Sequence, residues 1–266
     1  MSVKISVLMG IYNCAATLPE AIDSILSQTE SDWELILCDD GSKDDTYEIA
    51  RHYQQQYPEK IILLQNNRNM GLNHTLNRCL ANARGAFIAR MDGDDLSLPT
   101  RFEEELAALN SHPELAIVSC PMIYYDEAGD WGRGTMKSFP EKLDFLRGTP
   151  FCHAPCMVRA EAFAAVGGYA EDPALLRVED YDLWTRMYAL GYRGMNLDTP
   201  LYKMRDDRNA VKRRKFCYRV NEFRVRAAAV KRLELPIWGY LTALRPILIG
   251  LLPEFAYRAL HRMRLK

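Results

Sequence analysis

The sequence predicts an α/β protein with a mainly parallel central sheet flanked by helices, followed by a basic, amphipathic helical tail. Three observations support this prediction. Short apolar runs alternate with helical patterns through the first 120 residues. The helical patterns carry start and stop signals, and polar clusters follow several of the apolar runs directly. Strands separated by helices in this way form right-handed crossovers and a parallel sheet covered on both faces.

The first 120 residues contain five predicted strands and four predicted helices in alternation. The strands fall at 5–9, 33–38, 61–65, 87–91 and 116–120, and the helices fall at 18–28, 45–56, 72–83 and 97–109. Thr17 and Glu20 stand in capping-box spacing at the first helix, where Pro19 occupies an early helical position. Gly85 marks the end of the third helix.

The second half of the chain has a less regular pattern. Residues 121–150 are predicted to be rich in loops, because glycines recur there. A strand is predicted at 154–159, a short helix at 161–166 and a longer helix at 178–190. Glu179 and Asp180 lie in the first turn of the longer helix, where the helix dipole favours ionised carboxylates. A general preference for acids at helix starts explains them equally well.

The composition is that of a soluble globular protein with room for one large domain. The chain has 266 residues, 48% of them hydrophobic and 26% charged. Its seven cysteines are odd in number and mostly lie in apolar runs, which favours reduced thiols over a disulfide framework. The N-terminus shows no secretion signal. The best candidate membrane span, 235–253, is interrupted by Arg245, Pro246 and Gly250.

The formal net charge of −1 conceals two segments of opposite charge. Residues 203–266 hold 17 Lys/Arg against 5 Asp/Glu, whereas residues 1–202 hold 17 against 30. Residues 205–232 alone carry eleven basic side chains. Apolar residues recur there at helical spacing: Phe216, Val220, Phe223 and Ala227. This pattern predicts an amphipathic basic helix.

Three polar clusters come directly after predicted strands. They are Tyr12-Asn13, Asp39-Asp40-Gly41-Ser42 and Asp92-Gly93-Asp94-Asp95. In a parallel sheet, ligands bind beyond the carboxyl ends of the strands. Carboxylates held close together repel one another, and a divalent cation with positions open to substrate phosphates relieves that repulsion. Read alone, the last cluster is equally consistent with a solvated acidic turn, but several clusters at one edge favour a site.

The short motifs of the first 200 residues resemble those of inverting family 2 glycosyltransferases with the GT-A fold. The matching segments keep the family's order and spacing: Ser6 to Asn13, Leu18 to Thr29, Asp39 to Ser42, Asn69 to Leu72, Ala83 to Gly85, Met91 to Asp95, Gly167 to Tyr169 and Glu179 to Trp184. Each segment is short, but so many in order form a specific signal. The resemblance implies a GT-A (Rossmann-like) catalytic domain over 1–203, with a nucleotide-binding half at about 1–120 and an acceptor-binding half at about 121–203.

The resemblance also implies roles for residues on the donor side. Gly10 and Tyr12 would line the nucleobase pocket. Asp40, with Asp39 beside it, would accept a hydrogen bond from the nucleobase, and Asn69 would belong to the same nucleotide site. The commonest carrier in the family is uridine diphosphate, so a UDP sugar is the expected donor.

The remaining carboxylates match the family's metal and catalytic positions. Asp92 and Asp94 match the D-x-D motif, so that Asp92 would contact the ribose or a metal-bound water and Asp94 would coordinate Mg²⁺ or Mn²⁺ on the diphosphate. Asp95 is a further metal candidate. Asp180 aligns with the family's general base and Glu179 with its partner. A divalent cation stabilises a leaving diphosphate, and a carboxylate can accept the proton of the attacking hydroxyl.

The chain departs from the family pattern in two places. No Q-x-x-R-W motif follows Asp180, which favours the transfer of a single sugar per encounter over processive synthesis. Many members have a histidine after the last strand, where this chain has Arg205 and, further on, Arg208. These arginines would neutralise the diphosphate instead. That both belong to a solvated basic stretch is an equal alternative.

The tail, residues 204–266, is predicted to associate with a membrane. A basic helix followed by apolar segments too broken to span predicts attachment to an anionic bilayer, on the cytoplasmic, inner face of a bacterial cell membrane. The acceptor would then be a saccharide, lipid-linked, in surface polysaccharide biosynthesis. Alternatively, the apolar segments pack on the catalytic domain or form a homodimer interface. Nucleic acid is not expected as a partner, because the acidic body would repel its backbone.

The sequence fits other functions less well. A nucleotide-sugar pyrophosphorylase or a dinucleotide dehydrogenase would need a glycine-rich phosphate loop after the first strand, and only Gly10 stands there. A membrane-tethered, catalytically silent nucleotide-binding or scaffold protein is the alternative from another class. The presence of both Asp94 and Asp180 argues against it.

Overall fold

The structure, a computed structural model, describes residues 3–206 and 215–251. The strands are β1 Ile5–Ile11, β2 Trp33–Asp39, β3 Ile61–Gln65, β4 Phe87–Asp92, β5 Leu96–Ser97, β6 Ile117–Ser119, β7 Met122–Asp126, β8 Gly129–Arg133, β9 Met157–Arg159, β10 Gly194–Asn196 and β11 Tyr202–Arg205. The α-helices are α1 Leu18–Leu26, α2 Thr46–Gln56, α3 Leu72–Leu80, α4 Arg101–Ser111, α5 Ala160–Val166, α6 Glu179–Ala189, α7 Phe216–Arg232, α8 Gly239–Ala243 and α9 Arg245–Gly250. Two 3₁₀ helices cover Lys142–Leu146 and Pro173–Leu175.

The central sheet of the described residues has seven strands in the order β10-β6-β9-β4-β1-β2-β3. Strands β4, β1, β2 and β3 run parallel, as do β10 and β6, whereas β9 runs antiparallel to both of its neighbours. The predicted mainly parallel sheet is therefore confirmed. Strands β1 and β2 are buried along nearly their whole length, which accounts for their continuous apolar runs.

The core lies on both faces of this sheet. Successive residues of a strand point to opposite faces, so that Val7 and Met9 pack in one apolar cluster with residues of α1 and α4. Leu8 packs in the other cluster, which contains residues of α3, α6 and α7. The body is thus helix, sheet and helix in three layers, the arrangement predicted from alternating strands and helices.

A second sheet, of four strands, has the order β5-β11-β7-β8. The prediction that 121–150 is loop-rich is wrong for β7 and β8, which form an antiparallel hairpin. These strands escape sequence analysis because β7 is only half-buried and does not alternate. Its other partner, β11, lies far along the chain and pairs with it in parallel. Pairing with a remote strand, not local pattern, creates this sheet.

The capping box predicted at Thr17 and Glu20 does not form. The Thr17 side chain makes no capping hydrogen bond to its own helix. Its hydroxyl donates instead to the carbonyl oxygens of Cys14, at 3.2 Å, and Gly93, at 3.0 Å. A long-range contact therefore replaces the local one, and it ties the start of α1 to the turn that follows β4.

Helix α7 packs on the three-layer body. Val225, Ala229 and Leu233 are buried in the same cluster as the apolar face of α6. Arg208 and the basic residues from 258 onward lie outside the described residues, and the domain boundary at 203 stays a prediction. Within residues 3–206 and 215–251, none of the helices combines the length and apolar character needed to cross a bilayer.

Candidate active site

The strand register brings three predicted site residues to one edge of the central sheet. Gly10 of β1 lies opposite Asp92 of β4, and the next residue, Ile11, lies opposite Asp39 of β2. Tyr12 follows immediately and is 43% exposed. The carboxyl ends of neighbouring strands thus carry the polar clusters at one level, as the sequence predicts.

Asp39 and Asp40 are buried, and both hold loops at this edge. Asp39 accepts hydrogen bonds from the backbone N–H of Ser42 and from Nε2 of Gln65. Asp40 Oδ1 accepts from Asn66 Nδ2 at 2.7 Å and from the backbone N–H of Met70 at 2.8 Å. Its Oδ2 accepts from the N–H of Gly71 at 2.9 Å.

These bonds fold the segment 66–71 against the loop that follows β2. Gly41 has a φ of +73°, and a Cβ at this position would lie 2.7 Å from the backbone of Arg68. Glycine is therefore required both for its conformation and for the close approach of the two loops. Asn69 lies exposed in the segment that Asp40 holds. Asp40 thus shapes the loop that presents Asn69.

Asp92, Asp94 and Asp95 form a cluster in which one carboxylate oxygen from each residue lies within 4.8 Å of the other two. Asp95 is buried, Asp92 is half-buried and Asp94 is exposed. Burial, and after it the charges of Asp92 and Asp94, raises the pKa of Asp95 to about 8. Although the Asp94 residue as a whole is exposed, protein atoms surround its carboxyl group, and this desolvation, followed by the Asp92 charge, raises the pKa of Asp94. Hard oxygen ligands gathered at such electrostatic cost fit a divalent cation of the Mg²⁺ or Mn²⁺ type.

Strand β11 supports this cluster from below. The Tyr202 hydroxyl accepts from the backbone N–H of Asp92 at 3.2 Å and also bonds the Asp95 side chain. The backbone N–H of Arg205 donates to Asp95 Oδ1 at 2.8 Å. Because Tyr202 is fully buried, its hydrogen bonds fix the position of the turn that carries the acidic cluster.

Arg205 brings a positive charge to the same place. Its Nε donates to the carbonyl oxygen of Asp94 at 3.3 Å, and its Nη2 pairs with Glu20 at 2.8 Å. The guanidinium lies 4.9 Å from the centre of the Tyr125 ring. The Arg205 side chain therefore lies beside the acidic cluster, where the sequence predicted a positively charged residue.

Glu179 and Asp180 form the first turn of α6. Burial, and after it the neighbouring Glu179, raises the pKa of Asp180 to about 6. The backbone N–H of Tyr181 and the Thr149 side chain hydrogen-bond Asp180 and oppose this shift, as does the charge of Arg90. Asp180 can therefore exist in both protonation states near neutral pH, which suits a group that accepts a proton.

Sequence analysis missed Arg90 and Tyr202. Arg90 is buried and pairs with Asp92 of the acidic cluster. A charged residue in the apolar run 87–91, directly before the acidic cluster, was the available signal. Tyr202 had no such signal, because its role depends on the second sheet.

The chain is similar in sequence to known glycosyltransferases. The family model described as "Glycosyl transferase family 2" matches residues 6–167. The putative glycosyltransferase EpsE of Bacillus subtilis is 44% identical over 98% of this chain and 94% of its own length. The amylovoran biosynthesis glycosyltransferase AmsE of Erwinia amylovora is 32% identical over 79% of each chain. A third relative is 28% identical over 72% of this chain and 73% of its own length: the Escherichia coli UDP-Glc:alpha-D-GlcNAc-diphosphoundecaprenol beta-1,3-glucosyltransferase WfaP.

Solved structures share the fold at low sequence identity. S. aureus TarS 1–349 in complex with UDP matches with a TM-score of 0.71 and 17% identity, over 95% of this chain and 76% of that one. The mannosyltransferase PcManGT from Pyrobaculum calidifontis, in complex with GDP-Man and Mn²⁺, matches with a TM-score of 0.67 and 19% identity, over 98% and 79%. These matches confirm the predicted GT-A fold.

Proposed function

The chain belongs to glycosyl transferase family 2, and from that premise we propose that it is an inverting glycosyltransferase that adds one sugar per encounter. The donor is a nucleotide diphosphate sugar and the acceptor is a saccharide. The observation that carries the proposal is the gathering of Asp92, Asp94 and Asp95 within 4.8 Å at the sheet edge that Gly10 and Asp39 also share. Ligands of open α/β sheets bind at such an edge.

The nucleotide is proposed to lie between the ends of β1 and β2. Gly10 and Tyr12 line the nucleobase pocket, and Asp39, Asp40 and Asn69 form its polar side. Asp40 already accepts three hydrogen bonds, and a carboxylate has about four acceptor positions. One position is therefore left for a nucleobase N–H. The UDP and UDP-GlcNAc bound to TarS support a UDP sugar, while the GDP-Man bound to PcManGT widens the choice of base.

The cation is proposed to be held by Asp94, with Asp92 and Asp95 completing the carboxylate set. A bound Mn²⁺ or Mg²⁺ supplies charge neutralisation for the departing diphosphate. Arg205, which contacts the carbonyl oxygen of Asp94, adds a second positive charge on the same side. The Mn²⁺ in the PcManGT complex supports a metal site in a protein of this fold.

Asp180 is proposed to be the general base. Its carboxylate accepts the proton of the attacking acceptor hydroxyl. Burial, and after it the charge of Glu179, raises the pKa of Asp180 to about 6, and a carboxyl group with that pKa is still mostly ionised at pH 7. The oxygen of the acceptor attacks the anomeric carbon as the bond to the diphosphate breaks. A single displacement of this kind inverts the configuration and forms no covalent sugar–enzyme intermediate.

The acceptor is proposed to be lipid-linked and the enzyme to work on the inner face of the cell membrane in surface polysaccharide synthesis. The names of AmsE and WfaP, one an amylovoran enzyme and the other acting on a diphosphoundecaprenol saccharide, support this setting. The described tail adds a physical reason. Apolar side chains repeat along the exposed side of α8–α9 and form what we call the leucine stripe: Ile237, Leu241, Leu244, Leu248 and Leu251. An exposed apolar stripe that follows the basic helix α7 suits an anionic bilayer.

The proposal is tested by a panel of nucleotide sugars with Mn²⁺ and an acceptor extract, with sugar transfer as the readout. Asp94→Ala should lower turnover at least about 100-fold, because the cation loses a ligand. Asp180→Asn should lower it about 100- to 10,000-fold, because the hydroxyl keeps its proton. Asp23→Asn is the matched control, since Asp23 lies exposed on α1 and bonds the Tyr53 hydroxyl. Full turnover in Asp180→Asn, or in excess chelator, would contradict the base or the metal respectively.

A further inference from the structure

A buried asparagine hydrogen-bonds the Asp40 carboxylate. Asn66 follows β3 directly, and only 4% of it is exposed. Its Nδ2 donates to Asp40 Oδ1 at 2.7 Å and to the hydroxyl oxygen of Thr75 at 3.1 Å. The Thr75 hydroxyl donates its own proton to the carbonyl oxygen of Gly71 at 3.0 Å, so towards Asn66 it acts as an acceptor. Both neighbours of Nδ2 are therefore acceptors, and one orientation of the amide satisfies them.

Arg78 of α3 fixes the other end of this amide. Its Nη1 donates to Asn66 Oδ1 at 2.5 Å and to the carbonyl oxygen of Gln65, at the end of β3, at 2.6 Å. A guanidinium has donors and no acceptor, so it binds the oxygen of the amide and excludes the nitrogen. Arg78, Asn66 and Asp40 thus form a chain of hydrogen bonds from α3 to the end of β2, and such chains strengthen their members in a buried setting.

The chain of bonds leaves one position of the Asp40 carboxylate open. Oδ1 accepts from Asn66 and from the N–H of Met70. Among the described residues, Oδ2 has the N–H of Gly71 as its donor. Each carboxylate oxygen has about two acceptor positions. The open position therefore belongs to Oδ2.

We propose that Arg78 and Asn66 are positioning residues for recognition of the nucleobase. Arg78 holds the Asn66 amide with its N–H₂ group towards Asp40, and Asn66 holds the carboxylate with the open position of Oδ2 available to a nucleobase N–H. The base then meets a carboxylate of fixed orientation, so that little freedom is lost on binding. The same network reaches Gly10, where an added Cβ would lie 3.2 Å from Thr75 Cγ2. This inference rests on the proposed role of Asp40 in nucleotide binding.

Arg78 also has a structural role, and the test must separate the two. Its bond to the Gln65 carbonyl oxygen joins α3 to β3, and the loss of that bond lowers stability whatever the ligand. A positioning role predicts an effect that depends on the base. Inorganic pyrophosphate has no base and would use the cation site alone, whereas UDP would use both the cation site and Asp40.

The test titrates Arg78→Met and the native enzyme with UDP and with inorganic pyrophosphate, each with Mn²⁺, in a calorimeter. Affinity for UDP should fall about 10-fold, because the bond between the base and the carboxylate is weakened, while affinity for pyrophosphate stays native. In sugar transfer, the KM for the donor should rise with kcat unchanged, as for an interaction made equally in the ground and transition states. Arg51→Met is the matched control, an exposed arginine on α2 that pairs with Glu48.

Asn66→Asp tests the amide itself. It keeps the size of the side chain and the oxygen that Arg78 binds, but it replaces the donor to Asp40 by a second carboxylate oxygen, and the two carboxylates repel. Affinity for UDP should fall about 100-fold, again with native affinity for pyrophosphate. If Asn66→Asp fails to fold, Arg78→Met decides alone, since Arg78 is only half-buried.

Native UDP affinity in folded Arg78→Met, or equal losses for UDP and pyrophosphate, would overturn the inference. Asp40→Asn distinguishes this failure from a failure of the proposed nucleotide site. Native UDP affinity in Asp40→Asn would remove the role of Asp40 and the inference with it. Weakened UDP binding in Asp40→Asn, with native UDP binding in Arg78→Met, would remove the inference alone.

Discussion

At the scale of single residues, the site depends on carboxylates that are kept partly out of water. Asp40 exchanges its hydration for bonds to Asn66 and to two backbone N–H groups. The hydrogen bonds of Asp95 and Asp180 do not offset the hydration that these carboxyl groups lose, and burial raises the pKa of both. A group that resists ionisation in the folded chain lowers stability at neutral pH. Function at these positions is therefore expected to cost stability.

Asp180→Asn should stabilise the protein at pH 8 while it removes activity. The pKa of Asp180 rises from an ordinary value of 3.8 to about 6 in the fold. A raised carboxyl pKa destabilises the folded state fully above pH 6 and not at all below the ordinary value. Allowing for partial exposure, the gain is about 1–2 kcal/mol, or about 2–6 °C in Tm.

We expect thermal melts to measure this gain in Tm. The native protein and Asp180→Asn are melted at pH 8 and at the lowest pH at which both stay folded. The difference in Tm should shrink as the pH falls from 6 towards 4. A gain of equal size at every pH would show that the amide stabilises for another reason, such as a new hydrogen bond. Asp23→Asn, at an exposed position, should leave Tm unchanged within about 1 °C at both pH values.

At the scale of elements, α6 is held in place by helix α7. Asp182 of α6 is buried and accepts from Arg186 Nε and from Arg232 Nη1, each at 2.7 Å. Arg232 also donates to Thr185 at 2.9 Å. Because Asp180 lies two residues before Asp182, these bonds connect the C-terminal end of α7 to the turn that carries the candidate base. A helix rich in basic residues is thus bonded to the helix that carries the candidate base.

Arg232→Met should loosen this connection. Asp182 would keep Arg186 but lose one of its two charged partners, at a cost of about 1–2 kcal/mol, which lowers Tm by about 2–6 °C. Lys231→Met is the matched control, because it removes the same charge from the same exposed helix end without a bond to α6. Calorimetric melts give the Tm of each variant, and the Tm of Arg232→Met should be the lower of the two. Equal Tm values would mean that the Arg232 pair contributes no more than surface charge.

The sequence predicted the elements of the central sheet well because each of them carries its own pattern. Strands β1, β2 and β4 are mostly buried runs, and β3 is a half-buried apolar run. Helices α1 to α4 each bury one apolar face. The second sheet could not be predicted, since β7 and β11 are short and their strand conformation depends on pairing with each other across a long stretch of chain. For the same reason, the clustering of Asp92, Asp94 and Asp95 was predictable from adjacent positions, whereas the support from Tyr202 and Arg205 N–H was not.

At the scale of the whole molecule, the charge asymmetry has a definite place in the structure. The acidic body contains the sheet edge with its aspartates, and α7, which lies in the basic tail, packs on α6. Helices α8 and α9 continue from it, and Gly239 lies so close to Leu146 that an added Cβ would be 2.8 Å from that side chain. Deleting 235–266 would therefore uncover buried surface as well as remove the leucine stripe. Point variants on the stripe are the cleaner test of membrane attachment.

The double variant Leu241→Glu/Leu248→Glu should weaken binding to anionic vesicles at least about 10-fold. Both leucines are more than 60% exposed, so their replacement leaves the core intact, and each would lose the free energy of burying its side chain in the bilayer interface. Leu190→Glu is the matched control, because Leu190 is 60% exposed at the end of α6, outside the stripe. Vesicle co-sedimentation gives the affinity, and fluorescence of Trp238, 53% exposed beside the stripe, should shift to the blue on binding.

The salt dependence of vesicle binding separates the two contributions of the tail. Basic side chains act through screened charge, so their part should weaken between 0.05 and about 0.5 M salt, whereas the part of the leucine stripe should persist. Native binding by the double variant would show that the stripe does not contact lipid. A native dimer that becomes monomeric in the double variant, seen by analytical ultracentrifugation, would assign the stripe to a second copy of the chain. Salt screens the attraction between charges but does not weaken apolar burial. If the leucine stripe lies in the bilayer, the double variant should therefore lose nearly all binding at high salt, whereas the native protein should not.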